Sequence, residues 1–204
     1  MQNDQSRMAE NSCVEKFYPS KTDPHCEGIH WGVDWKVEKY WAGEDAVRAG
    51  EVQPYEVIHG KDNLLLRGGA DLLWLGLTGG LSATTALANT YFNNGNASIG
   101  VSTSNTAAAN TQTNLQGTNQ YWKGMETSFP AHTTGTASTA ALNISFKSVF
   151  STAMANYAWN EWALGNSTNS TGSNSQRVLN RKVQSLGTKS TAATWSLTVT
   201  LSLS

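Results

Sequence analysis

The C-terminal segment of the chain alternates strictly between apolar and polar side chains. In TWSLTVTLSLS, every second position from Trp195 onward is apolar, and serine or threonine lies between. A β-strand places successive side chains on opposite faces, so this period of two predicts a strand with one buried and one exposed face. We expect a second sheet to cover the apolar face, which carries Trp195, Leu197, Val199, Leu201 and Leu203.

Shorter segments show the same alternation. It predicts one strand in HWGVDWKVEKYW, where Trp31, Val33, Trp35 and Val37 share a face, and another in ALNISFKSVF. Further strands are predicted in PYEVIHG, ASIGVSTS and NYAWNEWALGN, and a weaker one in KVQSLG. Strands separated by turn-rich polar loops are typical of a β-sandwich or jelly roll, so we expect a mainly β fold.

One stretch departs from the alternation. DNLLLRGGADLLWLGLTGG crowds leucines around a glycine pair, which predicts a short buried helix near residues 69–78. Asp71 is expected near the start of this helix, and Gly79–Gly80 is expected to end it. Neither glycine pair belongs to a phosphate-binding motif, so we interpret both as caps or turns.

Charge is spread unevenly along the chain. Residues 1–67 hold 20 of the 29 charged side chains, and residues 68–204 hold the other nine. The first 30 or so residues are polar and contain Pro19 and Pro24, which is typical of an extended arm. We therefore predict an extended N-terminal arm with short strands over residues 1–60 and a β-sandwich domain, including the short helix, over residues 61–204.

The net charge, the lengths of the apolar runs and the two cysteines indicate which partners and cofactors to expect. A net charge of −1 gives no basic excess for nucleic acid. No apolar run approaches the ~20 residues that span a bilayer, and the N-terminus lacks an apolar signal core. For Cys13 and Cys26, free thiols are favoured, with a disulfide or a metal site that includes the nearby His25 and His30 as alternatives. We expect no cofactor, no metal, no nucleic acid and no membrane partner.

Residues 68–204 offer few groups for catalysis. Glu126 and Glu161 are the one carboxylate pair we consider for a glycosidase, and nothing in the sequence brings them together. Glu161 is better interpreted as an edge-strand acid or a partner of Arg181 or Lys182 than as a sugar-binding acid. A serine nucleophile elbow is absent. We therefore do not expect an enzyme.

Eight tryptophans stand in this charge-poor chain. Tryptophan and tyrosine are enriched at interfaces, although core packing is the commoner role. We predict that Trp31, Trp35 and Trp41 contact a partner chain or the sandwich itself. Tyr121 and Trp122, in NQYWKGM, are predicted to be exposed, which makes these five aromatic residues the interface candidates.

Six segments carry a resemblance to a known family. In chain order they are WKVEKYW, DNLLLRGGADLLWLGLTGG, ANTYFNNGNASIGVSTSNTAAANTQTNLQGTNQYWKGM, SFPAH, FKSVFSTAMANYAWNEWALGN and VLNRKVQSLGTKSTAATWSLTVTLSLS. Together they span roughly residues 31–204, and residues 1–30 are specific to this chain. The chain resembles virion structural proteins of tailed bacteriophages, a family of capsid decoration and tail-fibre-like proteins.

The resemblance implies a structural protein of the virion, assembled in the bacterial host cytoplasm. We expect a capsid decoration or cement protein that docks through its N-terminal arm onto other virion proteins, such as the major capsid or tail protein. Closed symmetry favours a trimer or hexamer. The alternatives are a tail, neck or head–tail adaptor or fibre protein, a carbohydrate-binding module that uses Trp122, Trp159 or Trp162, and a glycan hydrolase.

Overall fold

The computed structural model describes residues 31–78, 91–132, 142–166 and 177–203, which hold nine strands and two helices. The strands are β1 (Trp31–Tyr40), β2 (Glu56–Lys61), β3 (Leu64–Leu65), β4 (Ala97–Ser102), β5 (Gln120–Gly124), β6 (Asn143–Phe150), β7 (Ala158–Asn166), β8 (Arg177–Thr188) and β9 (Thr194–Leu203). The helices are α1 (Glu44–Arg48) and α2 (Arg67–Thr78).

The strands form two antiparallel sheets that pack as a β-sandwich. The four-stranded sheet has the order β2-β1-β9-β6, and the five-stranded sheet has the order β3-β8-β7-β4-β5. Strand β9 lies inside its sheet, between β1 and β6. The mainly β fold predicted from the sequence is therefore confirmed.

Tryptophans from both sheets meet in the core between them. The Trp159 ring of β7 contacts the Trp195 ring of β9 edge to face at 4.8 Å, and Trp35 contacts Trp162 at 6.2 Å. The apolar face predicted for β9 is buried here from Trp195 to Leu201. Leu203 is 46% exposed, since it lies beyond the last residue that β9 pairs with β6.

The outer face of the five-stranded sheet is covered by a second apolar cluster. Helix α2 packs on β8, and a Cβ on Gly69 would lie 2.0 Å from the carbonyl oxygen of Leu179, so only glycine permits this approach. The segment 103–119 also packs on this face, through Leu115. The buried members of the cluster are Leu66, Leu115, Trp122, Ala163 and Val178.

The helix predicted near residues 69–78 is present as α2, from Arg67 to Thr78. Asp71 lies in its second turn rather than at its start, and Gly79 and Gly80 lie outside the described residues. The helix is not buried all round, because only one of its faces reaches the sheet. Leu72 on that face is buried, and Leu77 is largely exposed.

The predicted boundary at residue 60 is wrong. Strands β1 and β2 belong to the four-stranded sheet, and the compact unit that contains the sandwich begins at Trp31. The outer face of β1 and β2 lies in solvent and carries charged residues, whereas α2 packs on the other sheet.

Several elements differ from the sequence prediction. Helix α1 lies in a stretch predicted to be a polar connection, β3 and β5 were not predicted, and β8 is longer than KVQSLG. The predicted strands in PYEVIHG, ASIGVSTS, ALNISFKSVF and NYAWNEWALGN are present as β2, β4, β6 and β7. Cys13, Cys26, His25 and His30 lie outside the described residues.

We expect two N-terminal truncations to differ sharply. Removal of residues 1–30 leaves all nine described strands in place, so the shortened chain should unfold cooperatively with a similar Tm. Removal of residues 1–60 deletes β1, which pairs with β9 along ten residue pairs, and should give an insoluble or unfolded chain. Circular dichroism during heating measures both, and a folded chain that lacks residues 1–60 would contradict the sheet order.

Candidate functional site

Two of the five aromatic interface candidates lie in the core. Trp122 is fully buried over Gly100 of β4, where a Cβ would lie 2.6 Å from the indole ring. The prediction that Trp122 is exposed is therefore wrong, because α2 and segment 103–119 cover this face of the sheet. Trp35 is buried between the sheets, so it contacts the sandwich itself, one of the two alternatives given above.

Two further candidates are partly buried against the core. Trp31 starts β1, and its indole nitrogen donates to Asn63 Oδ1 at 3.4 Å. Tyr121 contacts the ring of Phe150 edge to face at 6.3 Å. Both side chains pack on the cluster between the sheets, and neither stands free in solvent.

Trp41 is the one interface candidate that lies in solvent. It is 64% exposed and stacks on Tyr55, which is 42% exposed, with ring centroids 4.3 Å apart and planes 11° from parallel. The backbone beside it is fixed, since the Tyr55 N–H donates to the carbonyl of Lys39 and the Thr194 hydroxyl donates to that of Ala42. The pair forms a pre-ordered aromatic surface.

The tryptophans suggested as a sugar platform cannot serve that role. Trp159 and Trp162, like Trp122, are fully buried. Trp159 donates its indole N–H to the carbonyl of Ala155 at 2.9 Å and contacts Phe150 and Trp195 edge to face. A sugar would reach these rings only if the sandwich opened.

Glu161 is held in a buried ion pair with Arg181. The guanidinium Nε donates to Glu161 Oε2 at 2.5 Å, and both side chains are fully buried. The other oxygen, Oε1, accepts the backbone N–H groups of Gln116 and Gly117 at 2.8 and 2.9 Å. Of the alternatives given for Glu161, the partner of Arg181 is the one observed, and the edge-strand alternative is wrong because β7 lies between β8 and β4.

The same ion pair holds segment 103–119 on the sheet. Arg181 donates to Gln112 Oε1 at 2.8 Å and to the carbonyl of Thr106 at 2.9 Å. Together, the two side chains contact the segment at four points along its length. Glu126, the other acid considered for catalysis, accepts a hydrogen bond from Arg48 at 2.6 Å. Each acid is thus engaged by its own arginine.

A buried lysine joins two turns. Lys189 Nζ donates to the carbonyl of Ser151 at 2.6 Å and to Asn156 Oδ1 at 2.9 Å. These acceptors lie between β6 and β7, and Lys189 follows β8. Burial lowers the pKa of Lys189 to about 8, because desolvation disfavours its charged ammonium group.

The outer face of the four-stranded sheet carries a polar surface. Strand register places His59, Lys36, Thr198 and Lys147 in one row across all four strands. The next row holds Lys61, Asp34, Thr200 and Ser145. A groove of about 650 Å³ lies over β2, β1 and β9 and is lined by members of both rows.

The two ion pairs on this surface differ in exposure. Lys36 Nζ lies 2.9 Å from the largely buried Glu38, and Lys61 Nζ lies 3.7 Å from Asp34, with both members of the second pair more than half exposed. An exposed pair such as Lys61–Asp34 contributes little to stability, so its charges remain available to a ligand. In contrast to Glu161 and Arg181, this face is built for contact with solvent.

Helix α2 exposes a set of apolar side chains on the opposite side of the sandwich. Leu73 is 43% exposed and Leu77 is 76% exposed, and their spacing of four residues places them on one face of the helix. Trp74, at 64% exposure, lies three residues before Leu77 and adjoins them. We call these three residues the α2 patch.

Several of these surface residues were not predicted from the sequence. Tyr55, Leu73 and Leu77 were not candidates, because sequence alone does not show which aromatic and aliphatic residues remain uncovered. The polar stripe of β2 had a usable signal. In PYEVIHG and the lysine that follows it, Tyr55, Val57, His59 and Lys61 occupy alternate positions, which predicts a shared face.

The described residues contain no group of three His, Cys, Asp or Glu side chains placed to hold a metal ion. Neither α1 nor α2, the helices of the described part of the chain, has the length and apolarity that a bilayer crossing requires. Comparison with known proteins gives no match to a protein-family model, a curated protein or a solved structure.

We expect substitution of Glu161 to destabilise the fold strongly. Glu161→Gln keeps the side-chain size but leaves the Arg181 charge buried and uncompensated, which should cost about 3–5 kcal/mol in the free energy of unfolding. Urea denaturation measures this, and amide exchange at Gln116 and Gly117 should accelerate. The control Asp34→Asn removes an exposed partner and should cost less than about 1 kcal/mol. Equal losses in the two variants would contradict the assigned role.

We expect Lys189 to make stability depend on pH. Its pKa is about 8 in the folded chain and about 10.4 in an unfolded one. The folded state therefore releases its proton first, and the free energy of unfolding should rise from pH 8 towards pH 9.5. Above pH 10 the raised pKa of buried Tyr157 acts in the opposite direction.

The measurement is urea denaturation of the natural chain and of Lys189→Met between pH 7 and pH 9.5. The difference in unfolding free energy between the two proteins should increase with pH, because only the natural chain carries this proton. A constant difference would show that the ammonium group stays charged among its oxygen acceptors.

Proposed function

We propose that the protein is a structural component of a tailed-phage virion, specifically a capsid decoration or cement protein. In this proposal residues 1–30 dock onto the major capsid protein, and the sandwich associates with further copies of itself. The proposal starts from the resemblance suggested by the sequence over residues 31–204, and one structural observation supports it, the apolar α2 patch on the sandwich surface.

The α2 patch is the single structural observation that carries the proposal. Exposed apolar groups that adjoin one another mark surfaces that pack against other proteins. Leu73 and Leu77 face away from the sheet, whereas Leu72 of the same helix packs against it. Burial of each exposed leucine would gain about 1.5–3 kcal/mol before entropy is counted. Repeated in every subunit, this gain favours a closed oligomer such as a trimer or hexamer.

The construction of the sandwich suits a protein that must keep its shape in an assembly. Buried ionic groups hold its loops: Glu161 and Arg181 fix segment 103–119, and Lys189 ties the turn after β6 to the turn after β8. In this proposal residues 1–30 supply the docking contact, while these contacts maintain the fold of the sandwich.

We expect the protein to be present over the whole head of purified phage particles. Immunogold electron microscopy with an antibody against the sandwich tests this. Label confined to the tail or neck would contradict the decoration role and favour an adaptor or fibre protein. Particles without label, from infected cells that contain the protein, would overturn the virion proposal.

Variants distinguish the contact between copies of the sandwich from the docking contact of residues 1–30. Leu73→Glu with Leu77→Glu should lower the oligomeric mass measured by light scattering, because it places charge in the α2 patch. Leu142→Glu, at a leucine that is also exposed, is the control and should leave the mass unchanged. Deletion of residues 1–30 should keep the oligomer but remove the label from particles. A double variant that still assembles would contradict the role of the patch.

A further inference from the structure

The outer face of the four-stranded sheet combines an aromatic surface with charged and hydroxyl groups. Tyr55, Val57, His59 and Lys61 follow one another at alternate positions along β2 and the residue before it. At about 3.3 Å per residue, this stripe is roughly 20 Å long. It runs from the Trp41–Tyr55 stack to the 650 Å³ groove.

The aromatic end is held ready for a ligand. Trp41 and Tyr55 stack nearly parallel, and hydrogen bonds to the carbonyls of Lys39 and Ala42 fix the backbone beside them. Binding of a ligand to this pair therefore costs little side-chain conformational entropy. Because the rings stack on each other, the exposed surface is a flat aromatic face, which suits a flat apolar ligand surface such as one side of a pyranose ring.

The groove end offers both charge and hydrogen bonds. Lys36 and Lys61 line it with His59, and Lys147 adds a third ammonium group in the row of Lys36. Asp34, Thr198 and Thr200 also line it, which supplies acceptors and hydroxyl donors. The cations favour an anionic ligand, while the carboxylate and hydroxyl groups match a ligand rich in hydroxyls.

We propose that this face binds an acidic glycan, with a sugar ring packed on Trp41 and Tyr55 and a carboxylate or sulfate near Lys36 and Lys61. A polyphosphate such as single-stranded DNA fits less well, since Asp34, Thr198 and Thr200 offer partners for ligand hydroxyl groups, which a deoxyribose phosphate chain lacks. The proposal goes beyond the structural role above and does not depend on the α2 patch.

Binding of the full chain to a defined panel tests the proposal. The acidic probes are tetragalacturonate, an alginate tetramer, colominic acid and a heparin tetrasaccharide. Methyl-esterified tetragalacturonate and cellotetraose are the neutral controls, and a ten-nucleotide thymidine strand is the polyphosphate control. Isothermal titration should show at least one acidic glycan with a Kd at least tenfold below that of every control. Failure of all four acidic glycans, or tighter binding of the thymidine strand, would overturn the proposal.

Variants locate the site. Trp41→Ala should raise the Kd at least tenfold, and Lys36→Gln with Lys61→Gln should do so while flattening its dependence on salt. Tyr91→Ala removes an aromatic ring of similar exposure outside this face and should leave the Kd unchanged. These positions are exposed or half-buried, so thermal unfolding should remain near that of the natural chain. An acidic glycan that binds the Trp41 variant and the natural chain equally would place the site elsewhere.

Discussion

The sandwich depends on the pairing of β1 with β9, two strands from opposite ends of the described chain. Ten residue pairs join them, from Trp31 with Leu203 to Tyr40 with Thr194. This pairing places Trp35 and Trp195 on the inner face of the sheet, where Trp35 contacts Trp162 of β7 and Trp195 contacts Trp159 of β7. Because β9 also pairs with β6, the loss of either end of the chain would remove the centre of a sheet.

The outer faces of the two sheets differ in how far they are covered by other parts of the protein. The five-stranded sheet is covered by α2 and segment 103–119, and the cover encloses the charges of Glu161 and Arg181, which are compensated by each other and by backbone groups. The four-stranded sheet stays open and carries its charges in solvent. The charged residues of β1 and β2 therefore belong to the open face of the sandwich rather than to a separate arm.

The alternation of apolar and polar residues predicted the fold well where a strand has one solvent-exposed and one buried face. Strands β1 and β9 alternate clearly, so their extents and inner residues were predictable. β5 and the longer course of β8 were missed, because both faces of these strands meet other parts of the protein and the alternation disappears. The neighbouring residues in the sequence also do not show which tryptophan is exposed. Trp41 and Trp122 both stand among polar residues, and only the tertiary cover of Trp122 separates them.

The two surfaces that we propose as binding surfaces lie on opposite sides of the sandwich. The α2 patch belongs to the cover of the five-stranded sheet, and the groove with the Trp41–Tyr55 stack lies on the open sheet. Packing of copies through α2 would therefore leave the open sheet facing outward in every subunit. Repetition of a weak ligand site over such an assembly raises the effective concentration of each neighbouring site. A modest affinity for an acidic glycan would then suffice for firm attachment of a multi-subunit particle to a glycan-coated surface.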